Sequence, residues 1–347
     1  MGCEMTWPLF WETNVPATLR NNLIRTIRGE DTGKVPFWEV WYAMGGLADK
    51  VLDKPIRGIE GEIEFARFMG WENLNLWAAV PGLPAAGATA SDGTSHYVPG
   101  GFHDLAQIEG IPEPNTDEIA TQNEPRIKTA HDAGLAAIMY IGWCFHSVAT
   151  AMGLENFAYK TVDDMDFLHT AFEFVEQQNR KVIRDVAVPL GVDAMLFDGD
   201  CAYKNALMVS PKVFRELVLD RTAKTVAPLK EADIPYVFHT DGKLDDVIPV
   251  LIELGFSAVH GVEAQANDLG DIKARFGRDI TLMGNMDVVF LTHATVEQVR
   301  SETRKMLDVG SPGGRYVAAC NTSPMDYIPY DNYLAFADVI KNYKKES

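Results

Sequence analysis

Tyr236-Val237-Phe238-His239-Thr240-Asp241-Gly242 is a run of β-branched and aromatic residues that ends in an imidazole, a carboxylate and a turn glycine. Short runs of this kind, bounded by turn residues, read as strands buried in a parallel sheet. With 236–240 as one, eight such runs lie along the chain, the others being 35–42, 74–80, 137–144, 194–199, 258–262, 281–284 and 316–320. Helical patterns stand between several of them. Ser210 followed by Pro211 reads as an N-cap and first helical residue, and Thr295 with Gln298 reads as a capping box ahead of Val299 and Met306. Strands alternating with helices imply parallel pairing, because a parallel crossover needs a dozen or more residues and a helix supplies them while covering the sheet. Eight units favour a closed (β/α)8 TIM barrel, with an open doubly wound sheet as the alternative that periodicity leaves open.

The composition fits a globular chain of this size. Its 347 residues are 47% hydrophobic and 23% charged, enough to bury a core without disulfides or a structural metal. Lys and Arg number 31 against 49 Asp and Glu, and 31 − 49 = −18 describes a surface that repels nucleic-acid phosphates and anionic lipid. Cys3, Cys144, Cys201 and Cys320 show neither a C-x-x-C pair nor a disulfide framework, which suits a reducing compartment. No apolar run is long enough to span a bilayer, and the first residues carry Glu4 without a basic or long apolar leader region. The expectation is a cytoplasmic protein with no nucleic-acid or membrane partner and an open oligomeric state.

Two stretches depart from the repeat. Residues 1–34 form an N-terminal extension whose amphipathic part, 17–27, reads as a helix packed on the outside of the barrel. Residues 81–124 are rich in Gly, Pro, Ala and Ser, and so long an irregular insertion after the second strand reads as a lid over the site or as a solvated loop. No linker or low-complexity tract divides the chain, so 1–347 reads as a single domain.

In a parallel barrel the carboxyl ends of the strands carry the active site. Here those ends bear Glu39 and Trp41, Cys144 and His146, Asp198 and Asp200, His239 and Asp241, His260 and Glu263, Asn285 and Asp287, and Cys320 and Asn321. A single polar residue after a strand also serves as an N-cap or turn former, and Asp200 and Asp287 fit that role most easily. His260 reads equally well as a hydrogen-bonded core histidine. Glu39 sits within Val35-Pro36-Phe37-Trp38-Glu39-Val40-Trp41, where a buried carboxylate needs a metal, a proton or a substrate donor. His239, Asp241 and the distant Cys320 make a three-ligand zinc site with a fourth position open for substrate. No G-x-S-x-G, G-x-G-x-x-G or P-loop motif supports hydrolase, dinucleotide or nucleotide chemistry.

The segments Asp198-Gly199-Asp200, Leu207 to Arg215, Phe238-His239-Thr240-Asp241-Gly242, Gly284-Asn285-Met286-Asp287, Gly313 to Val317 and Tyr330-Asp331-Asn332-Tyr333 resemble, in this order, the uroporphyrinogen decarboxylase superfamily. The likeness covers the C-terminal 160 residues well and the N-terminal half loosely. It implies a (β/α)8 barrel from one of two branches, porphyrinogen decarboxylases or zinc-dependent methyltransferases that exchange methyl groups with a corrinoid. The decarboxylases carry an arginine-rich N-terminal signature for carboxylates, where this chain has Phe37-Trp38-Glu39-Val40-Trp41. The methyltransferases carry His-x-Cys and a later Cys. His239 matches the histidine, Asp241 stands at the first cysteine and Cys320 at the second. A carboxylate in place of a thiolate leaves zinc more Lewis acidic and better suited to oxygen, or else the metal is lost and Asp241 transfers protons.

The function this implies is a zinc-dependent methyltransferase that moves a methyl group from an oxygen donor, preferably an aryl methyl ether, to the Co(I) corrinoid of a small partner protein. Zinc is held by His239, Cys320 and Asp241; Glu39, Asp241 and His146 are the catalytic candidates. Trp38, Trp41 and Trp143 line the substrate cavity, and Asp198, Asn285 and Asn321 orient substrate or corrinoid. A decarboxylase of an aromatic or pyrrolic acid and a non-catalytic ligand-binding barrel are the alternatives.

Overall fold

The computed structural model describes residues 18–40, 45–52, 57–84, 87–89, 95–97 and 101–345. Its strands are β1 (Asn73–Trp77), β2 (Gly87–Thr89), β3 (Ser95–Tyr97), β4 (Ala136–Gly142), β5 (Ala194–Asp198), β6 (Tyr236–His239), β7 (Ala258–His260), β8 (Thr281–Met283) and β9 (Tyr316–Val317). Seven of them form one parallel sheet in the order β1-β4-β5-β6-β7-β8-β9, and β2 and β3 pair with each other as a separate antiparallel hairpin. Of the first expected strand, the described residues 35–40 form only a short bridge that joins the two edges of the sheet. Trp38 N–H donates to Ala318 O at 3.1 Å, Ala318 N–H to Pro36 O at 2.9 Å, and Glu72 N–H to Phe37 O at 2.9 Å. Beyond Phe37 the side-chain amides of Asn73 and Asn75 replace the ladder by donating to Glu39 O at 3.2 and 3.3 Å.

Side chains alternate between two layers, as the pleat requires. Trp38, Val40, Ile138, Tyr140, Leu196, Val237, Met283, Val317 and Ala319 fill the inside of the curled sheet. Phe37, Met139, Phe197, Phe238, Leu282, Ala318 and Cys320 face outward into the larger core shared with the helices. Expected helix starts are realised. Ser210 Oγ accepts from Val213 N at 3.3 Å ahead of Pro211–Glu231, and Thr295 and Gln298 form both bonds of a capping box at 3.3 and 2.8 Å.

Of the two irregular stretches, the described residues are 18–34 of the first and 81–84, 87–89, 95–97 and 101–124 of the second; the rest lie outside the described residues. The helix Thr18–Ile27 closes the amino-terminal end of the sheet instead of lying on its outside. Leu23 and Ile27, one turn apart, are fully buried among Ala136, Ala194 and Ala258, whose small side chains at the strand starts leave space for them. Arg20 N–H reaches Gly134 O at 2.9 Å, and Thr281 Oγ1 donates to the carbonyls of Thr26 and Ile27 at 3.0 and 3.2 Å. Residues 116–124 of the expected insertion belong to the helix Thr116–Asp132, the crossover from β1 to β4, whose first turn is capped by Asn115 accepting from Glu118 N at 3.2 Å. Upstream of it, Phe102 is fully buried, with its ring 5.2 Å from that of Phe167. Phe102 is thus packed onto the helical layer, its N–H donating to Ala151 O at 3.0 Å.

Candidate metal centre at the carboxyl ends of the strands

The end of β6 delivers His239 inward, because Val237 two residues earlier already faces the interior. Asp241 follows in the turn, and Gly242 lets that turn press against the loop after β5. Gly242 has φ of 88°, and a Cβ there would lie 2.5 Å from Ala202 O. Only glycine fits both demands. The close approach sets Asp241 N–H on Asp200 Oδ1 at 2.9 Å. One ligand atom from each of Asp200, His239 and Asp241 then falls within 4.8 Å of the others.

More carboxylates surround this group. Asp198 Oδ1 is 4.0 Å from His239 Nε2, and Glu263 Oε2 accepts from Gly242 N at 3.0 Å. Lys204 approaches Glu263 at 3.8 Å from the outer side. Asp241 Oδ1 is buried without a hydrogen-bond partner. Burial, with the nearby charges of Asp200, Glu263 and Asp198, pushes the Asp241 carboxyl up to about 6, against the opposing pull of His239. One imidazole and two carboxylates, one with an unused buried oxygen, suit a divalent cation that accepts nitrogen and oxygen donors.

His239 and Asp241 therefore meet as expected, but Asp200 joins them where Cys320 was expected. Cys320 shares the outward face with Ala318, while His239 shares the inward face with Val237. The Cys320 thiol is fully buried beside Glu39, and burial together with the Glu39 charge raises it well above its ordinary value. Glu39 points to the same outer layer. Its carboxyl accepts from Cys320 N at 3.1 and 3.3 Å and from Tyr333 Oη at 3.0 Å, in a fully buried position. Burial outweighs these donors and pushes Glu39 up to about 8, so the answer to its burial is a proton.

The other candidates divide. His146 is partly buried at the start of the helix Cys144–Met152, and its Cβ lies near the unsubstituted Cα of Gly199, where a Cβ would come within 3.1 Å of it. Asn285 is partly buried just past β8. Asn321 Oδ1 accepts from Val288 N at 3.1 Å and supports the following helix. Trp143 belongs to the outer core, with Nε1 donating to Thr222 Oγ1 at 3.0 Å and its ring 4.7 Å from Phe238. Trp38 does face the interior, 4.7 Å from the His260 ring and 6.4 Å from Tyr140. Trp41 lies outside the described residues. Trp77, at the end of β1, adds its ring 4.7 Å from Tyr140. Asp287 caps its helix, accepting from Val289 N at 2.8 Å.

These features define a curled parallel α/β sheet with an acid-rich, histidine-bearing centre at its carboxyl ends. A model of the uroporphyrinogen decarboxylase (URO-D) family matches residues 105–343, and the chain belongs to this family. A methyltransferase from Methanosarcina mazei superposes with a TM-score of 0.74 at 16% identity, over 93% of this chain and 98% of that one. A sugar phosphate isomerase/epimerase from Parabacteroides distasonis is more distant, with a TM-score of 0.41 at 11% identity over 91% of this chain and 97% of that one. Comparison with curated protein sequences finds no match. No helix among the described residues is long and apolar enough to cross a membrane.

Proposed function

We propose that the chain is a methyltransferase that takes a methyl group from an oxygen donor, an aryl methyl ether being the preferred class, and passes it to the Co(I) corrinoid of a small partner protein. The observation that carries this reading is the Asp200, His239 and Asp241 cluster with its unpartnered buried oxygen. Asp200, His239 and Asp241 would hold a divalent cation, zinc in the first instance, and such a cation would supply Lewis acidity for an ether oxygen whose departing phenolate carries negative charge. The change from the two-cysteine pattern to Asp200 and Asp241 favours an oxygen donor over a softer one.

The interior wall supports a ring-bearing substrate. Trp77, 42% exposed, leads to Tyr140, which stacks at 25° on the fully buried Trp38. A planar ring inserted beside them gains offset or edge contacts worth roughly 0.5–1.5 kcal/mol each. Asp198, partly exposed and facing His239, orients the donor. Trp77, Tyr203, Val289 and Tyr327 are exposed residues that follow strands at the same end, and they offer apolar contact to a docking partner. The carboxylates of Asp198, Asp200, Asp241 and Glu263 speak against a polycarboxylate substrate such as a porphyrinogen.

The test is to incubate the zinc-loaded protein with cob(I)alamin and a series of methoxybenzenes and to follow methylcob(III)alamin by absorbance. Formation with the wild type and loss of at least 100-fold in Asp241→Asn is expected. No formation with any methoxylated ring, or carbon dioxide release from an aromatic acid without metal, would overturn the reading.

A further inference from the structure

His239 and His260 are paired across β6 and β7, so both side chains turn inward at the same level, with ring centroids 4.8 Å apart. His239 Nδ1 lies 2.7 Å from His260 Nδ1, a distance that requires one proton between them. The other nitrogen of His260, Nε2, is 3.1 Å from Cys320 O. A carbonyl oxygen only accepts, so His260 Nε2 carries a proton. If His260 is neutral, its Nδ1 is bare and the shared proton belongs to His239. The opposite assignment would make His260 an imidazolium at a fully buried position with no carboxylate bonded to it.

We propose that His260 is a positioning residue that holds His239 in the Nδ1–H tautomer, leaving the Nε2 lone pair of His239 free to face Asp198, Asp200 and Asp241. The carbonyl that orients His260 is itself fixed, because the Cys320 peptide N–H is bound by Glu39 and Cys320 bridges Met286. Trp38 holds the His260 ring from the side, edge to face at 85°. Glu39 and Cys320 thus act on the centre through the backbone and His260, from outside the sheet. Without His260 as acceptor, neutral His239 can place its proton on Nε2 and donate it to a carboxylate. In that form the nitrogen is no ligand and no base.

The tautomer stands apart from the metal reading; only its effect on metal affinity rests on that reading. Long-range 1H–15N correlation spectra of metal-free wild-type protein labelled with 15N-histidine report the protonated nitrogen directly. Loss of signals in His260→Gln and His239→Gln assigns the two rings. We expect both rings neutral, His239 protonated at Nδ1 and His260 at Nε2. A proton on His239 Nε2, or a doubly protonated His260, overturns the proposal. Titration with Co(II), followed by its absorbance bands, tests the consequence. His260→Gln, whose amide can both accept from His239 and donate to Cys320 O, should bind within about threefold of wild type, and His260→Leu should bind roughly 10- to 100-fold more weakly. Equal binding by wild type and a folded His260→Leu overturns the positioning role. If wild type takes up no Co(II), the metal reading fails while the spectra still decide the tautomer.

Discussion

Glu39→Gln exchanges a buried carboxylic acid for a neutral group of the same shape, and the structure fixes the sign and window of its effect. The side chain is fully buried, and its pKa is raised from an ordinary 4.5 to about 8 by burial. A raised acid binds its proton more tightly in the folded state, so its contribution is fully present below 4.5 and is lost as the pH climbs through 8. Within that window stability falls by about 1.4 kcal/mol per pH unit for this one group. From pH 5 to pH 8 the loss is on the order of 4 kcal/mol in wild type and is absent in the variant. Urea unfolding followed by tryptophan fluorescence at pH 5, 6, 7 and 8 gives both series, and their difference cancels every other titrating group except those coupled to residue 39. The variant should be the less stable or equal at pH 5 and the more stable at pH 8. A difference between the two proteins that stays constant across the range would refute a protonated Glu39 beneath the C-terminal helix.

Other expectations follow from single contacts. Gly242→Ala forces a Cβ to 2.5 Å from Ala202 O at a positive φ, so unfolding should be easier by roughly 1–3 kcal/mol and metal content should fall. Thermal denaturation with elemental analysis checks both. Asp287→Ala removes the N-cap of Val288–His293 and should cost about 1 kcal/mol in urea unfolding while methyl transfer stays within about twofold. Trp143→Phe loses the bond to Thr222 in the outer core and should cost about 1–2 kcal/mol without changing the KM for the methyl donor.

The alternation of apolar runs and helices was enough to place seven of the eight expected strands, because the runs are bounded by turn residues and most crossovers carry a cap such as Ser210 or Thr295, the helix Ile248–Leu254 being without one. Faces were harder. A parallel strand covered on both sides is apolar at every position, so Tyr316-Val317-Ala318-Ala319-Cys320 gives no hint of which residues look inward. Cys320 falls one position out of phase with the inward Val317 and Ala319, and its thiol meets Glu39 instead of His239. Asp200 and Asp287 bear the same local signature of an acid after a strand. Their different fates depend on the Gly242 turn, which brings Asp241 onto Asp200, whereas Asp287 caps its own helix and accepts from Gln265 Nε2 at 3.1 Å. Aromatic residues divided by the same parity: Trp38 and Tyr140 inside, Trp143 outside. The helix Thr18–Ile27 was legible as amphipathic, but its place under the sheet depends on alanines at three strand starts far along the chain.

The central claim is that Asp200, His239 and Asp241, and not Cys320, hold a divalent cation at the carboxyl ends of the strands. Elemental analysis of purified wild type, Asp200→Asn, Asp241→Asn and Cys320→Ser, each dialysed against the same zinc solution, tests it most directly. The account predicts about one equivalent of zinc in wild type and in Cys320→Ser, and a loss of at least tenfold in occupancy at limiting zinc in the two aspartate variants. Zinc lost in Cys320→Ser but retained in Asp200→Asn would contradict it.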